Sequence, residues 1–198
     1  MSNDSVDDDT VLGAAAHCNC SAVDHLFAFQ IVSGRVGYVH ERLSLSVNVQ
    51  PAYCLQLDVA ATTVQSCLSR WSSLRVDVGG SDMIDRSRDT GQARTLLHRC
   101  PPYLIIQLTR ATPTELQPQP VGVDRRLLLG DDVVIGNGAD VIDYELCALC
   151  CHDVVLCQRD GIWYQMNDVT VTRLDDIDHT LRSAAVQQTV CLLLYRQT

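Results

Sequence analysis

The stretch GIWYQMNDVTVTRLDD, residues 161–176, ends an aromatic and apolar run in Asn167 and Asp168, then resumes with the alternating Val169-Thr170-Val171-Thr172. Asn-Asp is ordinary turn chemistry between two strands, because both side chains bond nearby backbone and tolerate a left-handed φ. The same pair can do something sharper. An amide or carboxylate at a strand end can orient a histidine from a neighbouring strand, as third member of a nucleophile, base and orienter set. Asp160-Gly161 is a strong hairpin signal, so it folds the preceding segment back onto Trp163-Tyr164-Gln165-Met166. That preceding segment is YELCALCCHDVVLCQ, residues 144–158, and its histidine is His152.

A nucleophile would have to come from the thiols, of which the chain has ten. Residues 17–30, HCNCSAVDHLFAFQ, can open a helix from Ser21, whose N-terminus would lower the pKa of a thiol at Cys20. The plain alternative is a small buried cysteine near the start of a domain. Metal spacing is thin. Cys18-x-Cys20 and Cys147-x-x-Cys150 are present, but the second pair lies in an apolar run where residues three apart point to opposite faces of a strand. The reading is therefore no metal site and no cofactor.

The remaining composition bounds the function. At 198 residues the chain fits one domain with a proper core. It is 46% hydrophobic, with mean hydropathy +0.04, and no apolar run approaches the ~18–20 residues that span a bilayer. The expected organisation is an acidic disordered tail over 1–16 and one domain over 17–198. Formal net charge is −9, and all 15 basic residues are arginine. An acidic chain without a basic stripe argues against nucleic acid, and nothing points to a membrane. The absence of lysine removes every side-chain amine to which ubiquitin could be conjugated; a GC-rich coding bias gives the same composition. The thiols form no disulfide framework, so a reducing compartment, cytoplasmic or nuclear, is expected.

The elements that must position these groups are mostly strands. RLSLSVNVQ (42–50) alternates as a half-buried strand, and PPYLIIQLTR (101–110) is a central strand apolar on both faces. TTVQSCLSRW (62–71) places Val64, Cys67, Leu68 and Trp71 at helical spacing. Residues 79–95 read as loop or hairpin tip, and 113–122 as an exposed connection. Residues 142–158 read as one long strand or two joined tightly. WYQM, VTVTRL and TVCLLLYRQ (189–197) are further strands, with a short helix around 176–186.

Taken in order, these pieces resemble the C-terminal two-thirds of a ubiquitin-specific protease catalytic domain, from about residue 24 onward. DHLFAFQIVSGRVGYVHERLSLSVNVQ (24–50) resembles the strands that enter and leave the fingers of that family, and TTVQSCLSRW the helix that follows. PPYLIIQLTR is similar to the family's LPPxLIIxLKR strand, and VCLLLYRQ to its closing strand. The stretch from Tyr144 to Val171 resembles the histidine box.

The resemblance implies an α+β, mostly antiparallel palm and fingers sheet with one or two short helices and an absent or vestigial thumb. It implies a cysteine-type deubiquitinase with His152 as the catalytic histidine, Asn167 as its orienter and Asp168 as the adjacent acid. Cys18 aligns with the nucleophile and Cys20 is the other choice. The implied partner is ubiquitin or a ubiquitin-like protein, with a further protein as a possible source of the thumb. Departures from the family pattern are specific. Cys151 and Asp153 replace the glycine and tyrosine that flank the histidine, the blocking loop before it is missing, the fingers lack zinc-binding cysteine pairs, and Ala16 replaces the asparagine that donates to the oxyanion. Two alternatives follow: an inactive relative that binds ubiquitin or acts as a scaffold, and a papain-like protease that processes a polyprotein.

Overall fold

The computed structural model describes residues 21–39, 42–78, 90–110, 119–136 and 140–198. The first elements are α1 (Ala22–Phe27), β1 (Phe29–Val39), β2 (Arg42–Ala52), β3 (Leu55–Asp58), α2 (Val64–Ser72), β4 (Arg75–Val78) and β5 (Thr90–His98). Next come β6 (Tyr103–Thr109), β7 (Arg126–Leu129), β8 (Ile142–Cys151), β9 (Val154–Arg159), β10 (Ile162–Asn167) and β11 (Thr170–Leu174). The chain closes with α3 (Ile177–Arg182), α4 (Ala184–Thr189) and β12 (Val190–Gln197).

Among the described residues the strands form two sheets. One has four strands in the order β2-β1-β5-β4; the other has eight, β11-β10-β9-β8-β12-β6-β3 with β7 paired to β8 outside this path. Among the described strands every pairing is antiparallel except β3 with β6. The last strand, β12, lies in the middle, with β6 on one side and β8 on the other.

Local chemistry explains the punctuation. Ser21 and Asp24 form a reciprocal capping box at α1: the Asp24 N–H donates to the Ser21 hydroxyl at 3.1 Å, and the Ser21 N–H donates to the Asp24 carboxylate at 2.8 Å. Thr63 caps α2, which buries Val64, Cys67 and Leu68 along one stripe. Asp160 (φ 52) and Gly161 (φ 78) both take the left-handed conformation that a two-residue turn between twisted strands requires. The inner face of the large sheet is buried beneath α2, α3, α4 and the segment from Val121 to Val134. Its two largest fully buried side chains are tyrosines with satisfied hydroxyls, Tyr195 donating to the Asp124 carbonyl at 2.7 Å and Tyr144 to the Pro101 carbonyl.

The architecture is the mostly antiparallel one expected, and no described helix exceeds nine residues. Several details differ. β2 is not half-buried: Leu45, Val47 and Val49 are 69%, 60% and 50% exposed, because β2 is the edge of its sheet and no described layer covers that face. Residues 90–95 are strand rather than loop, held by pairing with both β1 and β4. Of the two readings of 142–158 the second holds, two strands joined by a two-residue turn at His152-Asp153. β6 is buried on one face, by Leu104, Ile106 and Leu108, with its other face partly open. The helix near 176–186 is a pair broken at Ser183. Finally, Cys147 and Cys150 do not face opposite ways. A register shift between Leu194 and Tyr195 sets a bulge at Cys147, so the buried Leu146 and Leu149 are three residues apart and both cysteines stand on the half-exposed side.

Candidate active site

His152 occupies the tip of the β8–β9 hairpin, just after the closing pair Cys151–Val154. Met166 pairs with Val155, so the next step along the ladder sets Asn167 beside Val154. Asn167 ends β10, and Asp168 (φ 48) opens the turn into β11, where Asn167 pairs with Thr170. His152, Asn167 and Asp168 are therefore at one end of the sheet, with a single strand, β9, between the histidine and the other two. All three are exposed, and no hydrogen bond joins His152 to Asn167 or Asp168. The turn chemistry of Asn-Asp is thus realised, and the ladder also brings the pair to the histidine's end.

Further groups gather at that end. Arg110, just after β6, donates to the carbonyls of Gln187 (2.8 Å) and Val190 (3.1 Å). It ties the end of α4 to the start of β12, which is where β12 meets Cys151. Burial pushes the Cys151 thiol above its usual pKa, while the Thr189 hydroxyl and the Arg110 guanidinium pull the other way. Burial also raises Cys191, as does the adjacent Cys150 thiol. Cys151 and Cys191 are held as thiols, not as the thiolates a nucleophile needs.

The candidate nucleophiles Cys18 and Cys20 lie outside the described residues. Ser21, the first described residue, caps α1, and Phe27 of α1 stacks near Tyr103 with ring centroids 5.9 Å apart. Tyr103 begins β6, whereas Arg110 follows its end. At the strand rise of ~3.3 Å per residue, roughly 20 Å of β6 separates α1 from the histidine end.

On the face opposite the core, a row in register crosses five strands: Leu192, Cys150, Val155, Met166 and Val171. Leu192, Val155, Met166 and Val171 are all exposed. A cavity of about 510 Å³, lined by Asp58, Arg70 and Trp71 among others, sits at the β3 edge, away from His152. Among the described residues no helix is long and apolar enough to cross a membrane. The sequence reading missed Arg110, the Cys150 and Cys191 neighbours, and this row. Arg110 was legible as the cation ending an apolar strand, but the rest depends on cross-strand register.

No protein-family model matches the sequence, and no curated protein matches it. Solved structures do. The chain is similar to Ubp8, a ubiquitin-specific protease, in the yeast SAGA DUB module, with TM-score 0.70, 18% identity, and coverage of 89% of this chain and 42% of that one. The same values hold for the SAGA module of Ubp8, Sgf11, Sus1 and Sgf73 bound to monoubiquitin. For the module bound to ubiquitin aldehyde the TM-score is 0.71 at 17% identity, covering 93% of this chain and 44% of that one. The chain thus shares the fold of part of a ubiquitin-specific protease and spans less than half the length of the chains it matches.

Proposed function

We propose that this chain is the sheet-bearing part of a ubiquitin-specific-protease-like domain, acting on ubiquitin or a ubiquitin-like protein by cysteine-type isopeptidase chemistry when a thiolate reaches the His152 end. The observation that carries this reading is the gathering of His152 with Asn167 and Asp168 at one end of a sheet with that fold. In the reaction the thiolate attacks the carbonyl after ubiquitin's terminal glycine. His152 takes the thiol proton and later returns it to the leaving amine, and the Asn167 amide, once turned to the ring, holds the imidazole in the working tautomer. Asp168 adds negative charge beside the imidazolium. The exposed row from Leu192 to Val171 supplies an apolar surface for a protein substrate. The cytosol or nucleus, where the free thiols persist, is the proposed compartment.

A second reading has its own support. Ser21 sits at the other end of the sheet from His152, and the matched chains extend well beyond the matched part. On this reading the chain binds ubiquitin without cleaving it, or joins a partner that supplies the thumb wall and nucleophile. The test is incubation of the full chain with a ubiquitin C-terminal electrophilic probe, alongside a ubiquitin-binding titration. Labelling lost in Cys18→Ala or Cys20→Ala, and also in His152→Ala, establishes the enzyme. Binding without labelling establishes the second reading. Neither labelling nor binding overturns both.

A further inference from the structure

The β8–β12 ladder carries a feature that the proposed chemistry does not use. Val190 pairs with Cys151 and Leu192 pairs with Cys150, so Cys191 is the extra residue of a bulge in which two residues of β12 oppose the single Cys150. In such a bulge both residues of the longer strand stand opposite the one, on its side of the sheet. The Cys191 thiol donates to the Cys150 carbonyl at 3.3 Å, the Cys150 thiol donates to the Cys151 carbonyl at 3.5 Å, and the two thiols are close enough to hydrogen-bond each other. Cys150 and Cys191 are each partly exposed, whereas Cys151 is buried on the core side. Directly opposed residues of antiparallel strands have Cα atoms ~4.5–5.5 Å apart, inside the range a disulfide spans.

We propose that Cys150 and Cys191 are a reversible disulfide site, oxidised by a low-molecular-weight disulfide such as oxidised glutathione. One thiol loses its proton and attacks a glutathione sulfur, which releases one glutathione thiolate that takes up that proton and leaves a mixed disulfide. The second protein thiol, deprotonated in turn, attacks the protein sulfur of that mixed disulfide and expels the second glutathione. The two protein thiols give up two electrons and two protons, and one glutathione disulfide becomes two glutathione thiols. The pair is specific because neighbouring residues of one strand point to opposite faces, which keeps Cys151 from either partner. Burial and, after it, the neighbouring Cys150 thiol raise Cys191, which slows its attack at neutral pH. The bond would pin the bulge two residues ahead of His152, so thiol redox state would reach the histidine's hairpin through the backbone.

The full, reduced chain is incubated with oxidised glutathione at mildly alkaline pH and mapped by non-reducing peptide mass spectrometry. The expected result is a Cys150–Cys191 linked peptide that disappears on reduction, with a loss of two free thiols at these positions. Cys151→Ser retains the link, and Cys191→Ser stops at a Cys150–glutathione mixed disulfide. Glutathione on both cysteines without a link, a link from either to another cysteine, or both remaining as thiols while other exposed cysteines react would each overturn the proposal.

Discussion

His152 and Asn167 close the same end of the eight-stranded sheet, one on each side of β9, and both are exposed. Exposed side chains at turn tips contribute little to folding. His152→Ala and Asn167→Ala should each leave stability within about 0.5 kcal/mol, read by denaturant titration. In an assembly that reacts with a ubiquitin probe, the same changes should cut labelling about a hundredfold or more, His152→Ala the more severely. For residues 1–198 alone, weak or absent ubiquitin cleavage is expected. By the family resemblance Ala16 stands where an oxyanion donor is expected, and lost oxyanion donors cost about a hundredfold or more.

Met166 lies in the exposed cross-strand row, between Val155 and Val171. Met166→Glu puts a charge into that row while leaving the buried face untouched. Ubiquitin affinity should fall by about tenfold or more, with the unfolding midpoint nearly unchanged. A variant that unfolds but retains affinity per folded molecule would move the binding surface elsewhere.

Gly161 holds φ 78 with open space around a would-be Cβ, so a substitution there meets backbone strain and no clash. Gly161→Ala should cost about 1 kcal/mol. Asp160→Asn should be neutral, since both residues suit the first position of this turn. Thermal melts of the two variants check the contrast.

Burial pushes the Cys100 thiol from its ordinary 9.0 up to about 11, with the Tyr144 hydroxyl opposing, and burial raises Tyr144 as well. In the folded chain Cys100 keeps a proton that the unfolded chain releases. Its contribution to stability is therefore whole below about pH 9 and is lost as pH climbs through about 11. Denaturation midpoints should fall across that window, and Cys100→Ala should flatten the decline.

The strand pattern was legible because apolar runs, Pro101-Pro102 and Asp160-Gly161 each carry a local physical cause. The histidine's end of the sheet was legible for the same reason, since the Asp160-Gly161 turn folds the strand that follows His152 onto Trp163–Met166. What lay beyond reach was non-local. The short strands β3, β4 and β7 are four residues each and owe their conformation to partners far along the chain. The bulges at Cys147 and Cys191 arise from matching β8 to β12, a register that neither segment encodes alone. Face assignments made by simple alternation fail at such points, as they did for Cys147 and Cys150.

The central position of β12 has a consequence for how the chain is made. As the chain emerges from a ribosome, β8 to β11 can pair as successive hairpins, and β3 can join β6 once both are free. The two halves then wait, each with an unpaired edge, because the strand that joins β6 to β8 is synthesised after all its neighbours. Such edges pair readily with other chains. The nascent protein is thus most exposed to aggregation, and most dependent on chaperones, in the interval before residues 190–197 clear the exit tunnel.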